Sequence, residues 1–280
     1  MVLREPCLPP GWYPRQREEI EEFLGPFKNA KEALPGAVAA IAPHAGWYYS
    51  GHLAALAVSS LGSGAETVVV IGGHLSRGAP VLAAQEDGVK TPLGAIMIDE
   101  EFREAFGKRI SIAPDSYKDN TVEVLLPMVN YFFPESKLLW LRFPADMSSF
   151  EAGKILADTA VNVDRKIVVL SSTDLTHYGR NYGFNPKGSG KSALEWVRKS
   201  NDAAFINAVL AGDSAFALKR AEDDSSACSA GAVLGALGFA SLKGKKAKLI
   251  EYSTSADNSG DAMGDDIPDS FVGYAAISFG

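Results

Sequence analysis

The sequence predicts an α/β fold: a single layered αβα domain, residues 1–280, with a mostly parallel or mixed central sheet. Three observations lead there. Short apolar runs rich in β-branched residues recur along the chain, as expected of strands buried on both faces. Helical patterns separate them, which is the alternation of strand–helix–strand units. The chain has 280 residues, 46% of them hydrophobic. A chain of that length hides roughly three quarters of its extended surface, enough for a large core.

Each element has its own signal. Residues 36–42 (GAVAAIA) read as a buried strand stopped by Pro43, and residues 50–61 as a helix of small residues. Residues 66–71 (ETVVVI) are a strand ending at Gly72-Gly73. Residues 81–85 and 95–98 are expected to pair as a hairpin around Asp87-Gly88. Residues 99–108 form a helix whose acidic first turn suits the positive end of the helix dipole. Residues 121–133 are helical, with Pro127 kinking the helix or ending a first segment. Strands follow at 137–143 and 166–171, and helices at 150–160 and 192–210. Residues 228–242 are a Gly/Ala-rich helix, N-capped by Ser225 or Ser226, with Cys228 in its first turn. Strands at 247–254 and 271–279 close the sheet. The Gly/Asn/Pro loop at 178–192 and the Asp/Gly loop at 255–270 are too short for interdomain linkers.

Composition removes several function classes. A net charge of −7 lacks the electrostatic footprint of a nucleic-acid binder. No Lys/Arg run marks a membrane patch, and no apolar stretch nears the roughly 18 residues of a membrane span. The first twelve residues carry no signal-peptide core. Only Cys7 and Cys228 are present, so no disulfide framework is expected and a reducing cytoplasm fits. Gly190-Lys191-Ser192 lacks the Gly and preceding strand of a phosphate loop, and residues 257–269 lack EF-hand spacing. No G-x-S-x-G elbow occurs.

The four histidines are His44, His52, His74 and His177. His44 follows the first strand, His74 the second, and Asp174 with His177 the strand at 166–171. Ligands of open α/β sheets bind at such carboxyl ends. Cys228, placed at a helix N-terminus, is favoured as thiolate. Two His, this Cys and the Asp174/His177 pair would satisfy an iron, copper or zinc site. His52 is assigned to packing or to supporting a ligand from behind, and Cys7 to no partner.

Several segments, spread nearly end to end, resemble the Memo-like family, known in bacteria and archaea as AmmeMemoRadiSam system protein B. They are Gly11-Trp12-Tyr13-Pro14 after Pro10, Pro43 to Gly51 (PHAGWYYSG), Thr91-Pro92-Leu93-Gly94 with Asp99, Val122-Glu123-Val124 with Leu126-Pro127, and Ser171 to Gly179 (SSTDLTHYG). The Cys228 helix and the segments at 252–255 and 272–276 are similar as well. The resemblance implies a fold similar to class III, LigB-type extradiol dioxygenases, with Cys in place of a carboxylate ligand. It implies His44, His74 and Cys228 as ligands of a divalent metal, iron(II) with copper or zinc as alternatives. Asp174 and His177 would complete the pocket as the catalytic pair. The chain departs from the family pattern at Gly72-Gly73-His74, and at Asp119-Asn120-Thr121, where the family has Glu-His-Ser. His177 would then be the pocket's one histidine for proton transfer.

Three functions follow as expectations. The first is a metal-dependent redox enzyme, such as a dioxygenase. The second is a non-catalytic module that captures a small molecule or peptide and partners AMMECR1-like and radical-SAM proteins. The third, ranked last, is a thiol enzyme pairing Cys228 with His177.

Overall fold

The computed structural model describes residues 1–28, 36–257 and 267–280. Twelve strands lie among them. β1 (Leu3–Arg4), β5 (Gly88–Thr91) and β6 (Gly94–Met97) make a small sheet. The main sheet runs β10 (His177–Gly179), β12 (Ser270–Phe279), β2 (Ala39–Ala42), β9 (Ile167–Ser172), β3 (Thr67–Leu75), β8 (Lys137–Pro144), β4 (Val81–Ala83) and β7 (Ile112–Pro114). β11 (Ala247–Thr254) pairs beside β12. β2, β9, β3 and β8 are mutually parallel, while β12 and β4 run antiparallel to β2 and β8. The sheet is therefore mixed around a parallel centre.

Period-two alternation sends successive side chains to opposite faces. Ala40, Ala42, Val68, Val70, Leu138, Trp140, Val168 and Leu170 pack on one face, with the helices Arg17–Leu24, Trp47–Ser60 and Leu126–Phe132. Ala39, Ile41, Val69, Ile71, Leu139, Leu141, Ile167 and Val169 pack on the other. There they meet the helices Ser148–Asn162, Asp202–Ala211, Ser214–Asp224 and Ala230–Leu242. Two apolar layers flanking one sheet give the αβα sandwich. Helix Ala230–Leu242 lies unusually close to Ser148–Asn162. A methyl group on Gly153 would run into the carbonyl of Gly235, and one on Gly238 into that of Phe150.

Several sequence expectations are corrected. Residues 81–85 and 95–98 do not pair. Val81–Ala83, buried throughout, joins the main sheet between β8 and β7, and the hairpin is β5 with β6. Its turn is Thr91-Pro92-Leu93-Gly94, where Pro92 and a left-handed Gly94 (φ 123°) supply stronger turn chemistry than Asp87-Gly88. Residues 192–210 are not one helix. Lys191–Trp196 and Asp202–Ala211 are separated by a π turn, Val197–Asn201, whose extra residue turns Asp202 into the core.

The helix after Cys228 starts later than expected, at Ala230. Ser225 is a left-handed residue ending the preceding helix, and neither it nor Ser226 is the cap. The N-cap residue, Ser229, makes no side-chain cap, and its N–H donates to Thr173 Oγ1 at 3.1 Å. Cys228 therefore sits in the turn before the helix, its N–H donating to the Asp174 carbonyl. Pro127 does divide residues 121–133, into Asn120–Glu123 and Leu126–Phe132. Of the loop at 255–270, residues 258–266 lie outside the described residues. No helix among the described residues is long and apolar enough to cross a membrane.

Candidate metal centre

The carboxyl ends of β2, β3 and β9 deliver side chains to one edge of the sheet. His44 lies just past β2 and is buried, 1% exposed. Its backbone N–H donates to Asp174 Oδ1 (2.7 Å), and Asn120 Nδ2 donates to its carbonyl (2.7 Å). Its ring Nδ1 is 2.9 Å from Ser172 Oγ. Ser172 gives its only hydroxyl proton to the Thr121 carbonyl, so it accepts from His44 Nδ1–H. Nε2 then faces Cys228 Sγ, 3.2 Å away.

His74 does not follow its strand; it lies within β3, at an irregularity of register between Gly72 and Leu75. Its backbone is left-handed, φ 61°, a conformation costly for a residue with a Cβ. The two glycines before it are required by close approach. A methyl on Gly72 would meet Val122 Cγ2 at 2.7 Å, and one on Gly73 would collide with the Ser229 side chain. Small residues here let Cys228 and the turn at 119–123 close on His74. The His44 and His74 ring centroids are 5.1 Å apart at 85°.

One donor atom from each of His44, His74 and Cys228 lies within 4.8 Å of the other two. A single ion held at ~2.0–2.3 Å by N and S donors needs such atoms within about 4 Å of each other. The three donors lie close to that limit, so the group could hold a metal. His44 is buried, Cys228 half-buried and His74 exposed, which leaves one side open.

Cys228 is held as an anionic donor. Burial alone would raise the Cys228 thiol, but the two imidazoles outweigh it and hold it well below its usual range. Burial would lower both imidazoles. The thiolate and Asp174 instead raise His44, and hydrogen bonds to Asp119 and Cys228 carry His74 up to about 10. Burial raises Asp174 against the pull of His44.

Asp174 and His177 stand beside this cluster. Asp174 Oδ2 is 3.9 Å from His44 Nε2. His177 Nδ1 is 3.1 Å from the Leu175 carbonyl, which fixes the proton on Nδ1 and makes Nε2 the acceptor of the neutral ring. Both line a cavity of about 560 Å³ together with Trp12, Asn120, Tyr182 and Tyr274. The imidazole against Cys228 is that of His44, not His177, contrary to the thiol-enzyme pairing. His52 lies apart, exposed, near Glu251 (3.5 Å) and edge-on to Phe27.

In sequence, residues 119–121 stand out only as a departure from the family pattern and residues 122–124 only as a family segment; their contacts come from the fold. Asp119 Oδ2 is 3.5 Å from His74 Nδ1, and buried Arg142 grips both Asp119 oxygens through Nη1. Buried Glu123 accepts from the N–H and S–H of Cys7, the N–H of Leu8 and the hydroxyl of Tyr13. Cys7 therefore has a partner; burial and that carboxylate push its thiol up to about 12. The same contacts hold the N-terminal arm, whose Gly11 and Trp12 wall the cavity. A lone acid inside the apolar run TVEVLLP was the available signal.

The comparisons with known proteins cover nearly the whole chain. The pattern of the family described as Memo-like protein matches residues 4–278. A MEMO1 family protein of Methanopyrus kandleri is 30% identical over 304 residues, covering 99% of this chain and 98% of its own. MEMO1 family proteins of Archaeoglobus fulgidus and Methanosarcina mazei are each 30% identical, with 99% of both chains covered. Among solved structures, an uncharacterized protein of Escherichia coli K12 superposes with a TM-score of 0.50 at 14% identity, over 86% of this chain and 99% of its own. It shares the α/β fold. On the extent and identity of these matches, the chain belongs to the Memo-like family.

Proposed function

We propose that this protein is a metal-binding oxidoreductase whose His44, His74 and Cys228 hold one iron(II) or copper ion. The carrying observation is the convergence of three donor atoms within 4.8 Å beside the cavity. A bound ion would supply redox chemistry and open coordination positions. A thiolate donor favours softer ions, copper(I) and zinc among them. The protein's own residues do the rest. His177 accepts or returns a proton at Nε2, its ring fixed by the Leu175 carbonyl. Asp174 holds the His44 backbone from within the buried wall. Trp12, Tyr182 and Tyr274 shape the cavity for a small organic substrate and exclude water. The likeness to class III extradiol dioxygenases makes oxygen-dependent oxidation of catechols the reaction to try first. Cys7 and Cys228, neither in a disulfide, fit a reducing cytoplasm.

One observation favours a second reading. Asn120 stands where the family pattern has a histidine, so the cavity has a single histidine for proton transfer. The cavity would then capture a small molecule or peptide without turnover, in partnership with AMMECR1-like and radical-SAM proteins. Anaerobic purification with elemental analysis and spectroscopy tests the metal. About one equivalent of iron or copper, lost in His44→Ala and Cys228→Ala, is expected; no metal in the wild type refutes it. Oxygen uptake with catechols, abolished in His44→Ala, separates the enzyme from the binding module.

A further inference from the structure

We propose that Asp119 is the positioning residue for His74, its carboxylate directing His74 Nε2 toward Cys228 and His44. The inference rests on the metal-site reading above. Carboxylate–histidine pairs of this kind set the tautomer and orientation of ligating imidazoles.

Three observations carry it. First, Asp119 faces the correct nitrogen: Oδ2 is 3.5 Å from Nδ1. Second, Asp119 has little freedom to move. Arg142 Nη1 holds its two oxygens at 2.7 and 2.8 Å, and Oδ1 accepts the Thr121 N–H (3.0 Å) and hydroxyl (2.9 Å). Arg142 is fully buried, and its Nε is fixed by Asp115 (2.7 Å), which also accepts from Trp140 Nε1 (2.6 Å). Third, the charges do not cancel behind Asp119. With His74 itself set aside, as a bound metal would displace its second proton, the connected set is Glu86, Asp115 and Asp119 against Arg4 and Arg142. One negative charge is left over, and Asp119 is the member of the set that faces a ligand imidazole. Together with the Cys228 thiolate it would balance a divalent cation.

A purely structural role, as counter-ion to Arg142, would leave the imidazole indifferent to Asp119. The test separates the two. Asp119→Asn keeps the shape and an acceptor oxygen, and Asp119→Glu keeps the charge. Zinc affinity is measured by chelator competition, with the thermal midpoint of the metal-free proteins as a control. Asp119→Asn should weaken zinc binding about 10- to 100-fold. Asp119→Glu should restore most of the affinity. Imidazole ¹⁵N shifts of zinc-loaded wild type should show His74 metallated at Nε2 and protonated at Nδ1. Metallation at Nδ1, or equal zinc affinity of Asp119→Asn and wild type, overturns the proposal. If Asp119→Asn does not fold, the wild-type ¹⁵N shifts decide. Wild type that takes up no zinc overturns the metal reading and this inference with it. Wild type that binds while Asp119→Asn is unaffected overturns this inference alone.

Discussion

His44 Nε2 and Cys228 Sγ face each other at 3.2 Å across 184 residues of sequence, and this contact joins two ends of the candidate site. It makes the two cysteines chemically unequal. In metal-free protein near neutral pH, iodoacetamide should label Cys228 and spare Cys7, whose S–H is held by Glu123. Zinc should protect Cys228. Peptide mass spectrometry reads the label; preferential modification of Cys7 would contradict this electrostatic assignment.

Gly73→Ala should damage the site from behind. Its new methyl would collide with the Ser229 side chain and push the Cys228 turn away from His74. We expect a loss of about 1–3 kcal/mol in urea unfolding. Metal uptake should fall more than in Gly25→Ala, where no atom lies within 4 Å of the added methyl.

Asp202 gives the pH dependence. Burial pushes its carboxyl up to about 6, against hydrogen bonds from Thr176 and Tyr252. A raised folded-state value means that the contribution is fully present below the unfolded value, near 3.9, and is lost as pH rises through 6. The stability difference, wild type minus Asp202→Asn, should therefore shrink by roughly 2 kcal/mol between pH 4 and 7. Urea midpoints across that range measure it. A difference that stays flat, or grows with pH, would show that Asp202 is ionised at no cost in the folded protein.

Glu123→Ala should release the N-terminal arm. Four donors lose one acceptor, leaving the Trp12 carbonyl held by the Trp47 N–H. Stability should fall by about 2 kcal/mol, and limited proteolysis should cut within residues 7–13 first. An arm as protected as in wild type would show that Glu123 is dispensable.

The sheet was legible because strands buried on both faces must be apolar almost without interruption, as in TVVVI and KIVVLS. His44, His74 and Asp174 stood out because polar residues interrupt those runs at one end. What the sequence concealed depends on contacts between distant segments. The helix start after Cys228 is tied to Thr173, 56 residues away, so no local cap pattern marks it. Asp202 looks like a solvated helix residue until the π turn rotates it inward. Asp119 reads as an ordinary turn residue because Arg142 and His74 reach it from other strands.

The turn at 119–123 has one more consequence. Asp119 touches one candidate ligand, Asn120 the backbone of another, and Glu123 the arm that walls the cavity. Substitutions at His74, His44 and Tyr13, far apart in sequence, converge on this one backbone segment. Their effects should show epistasis rather than sum. Natural variation at any one of them is then constrained by what the other two have already become.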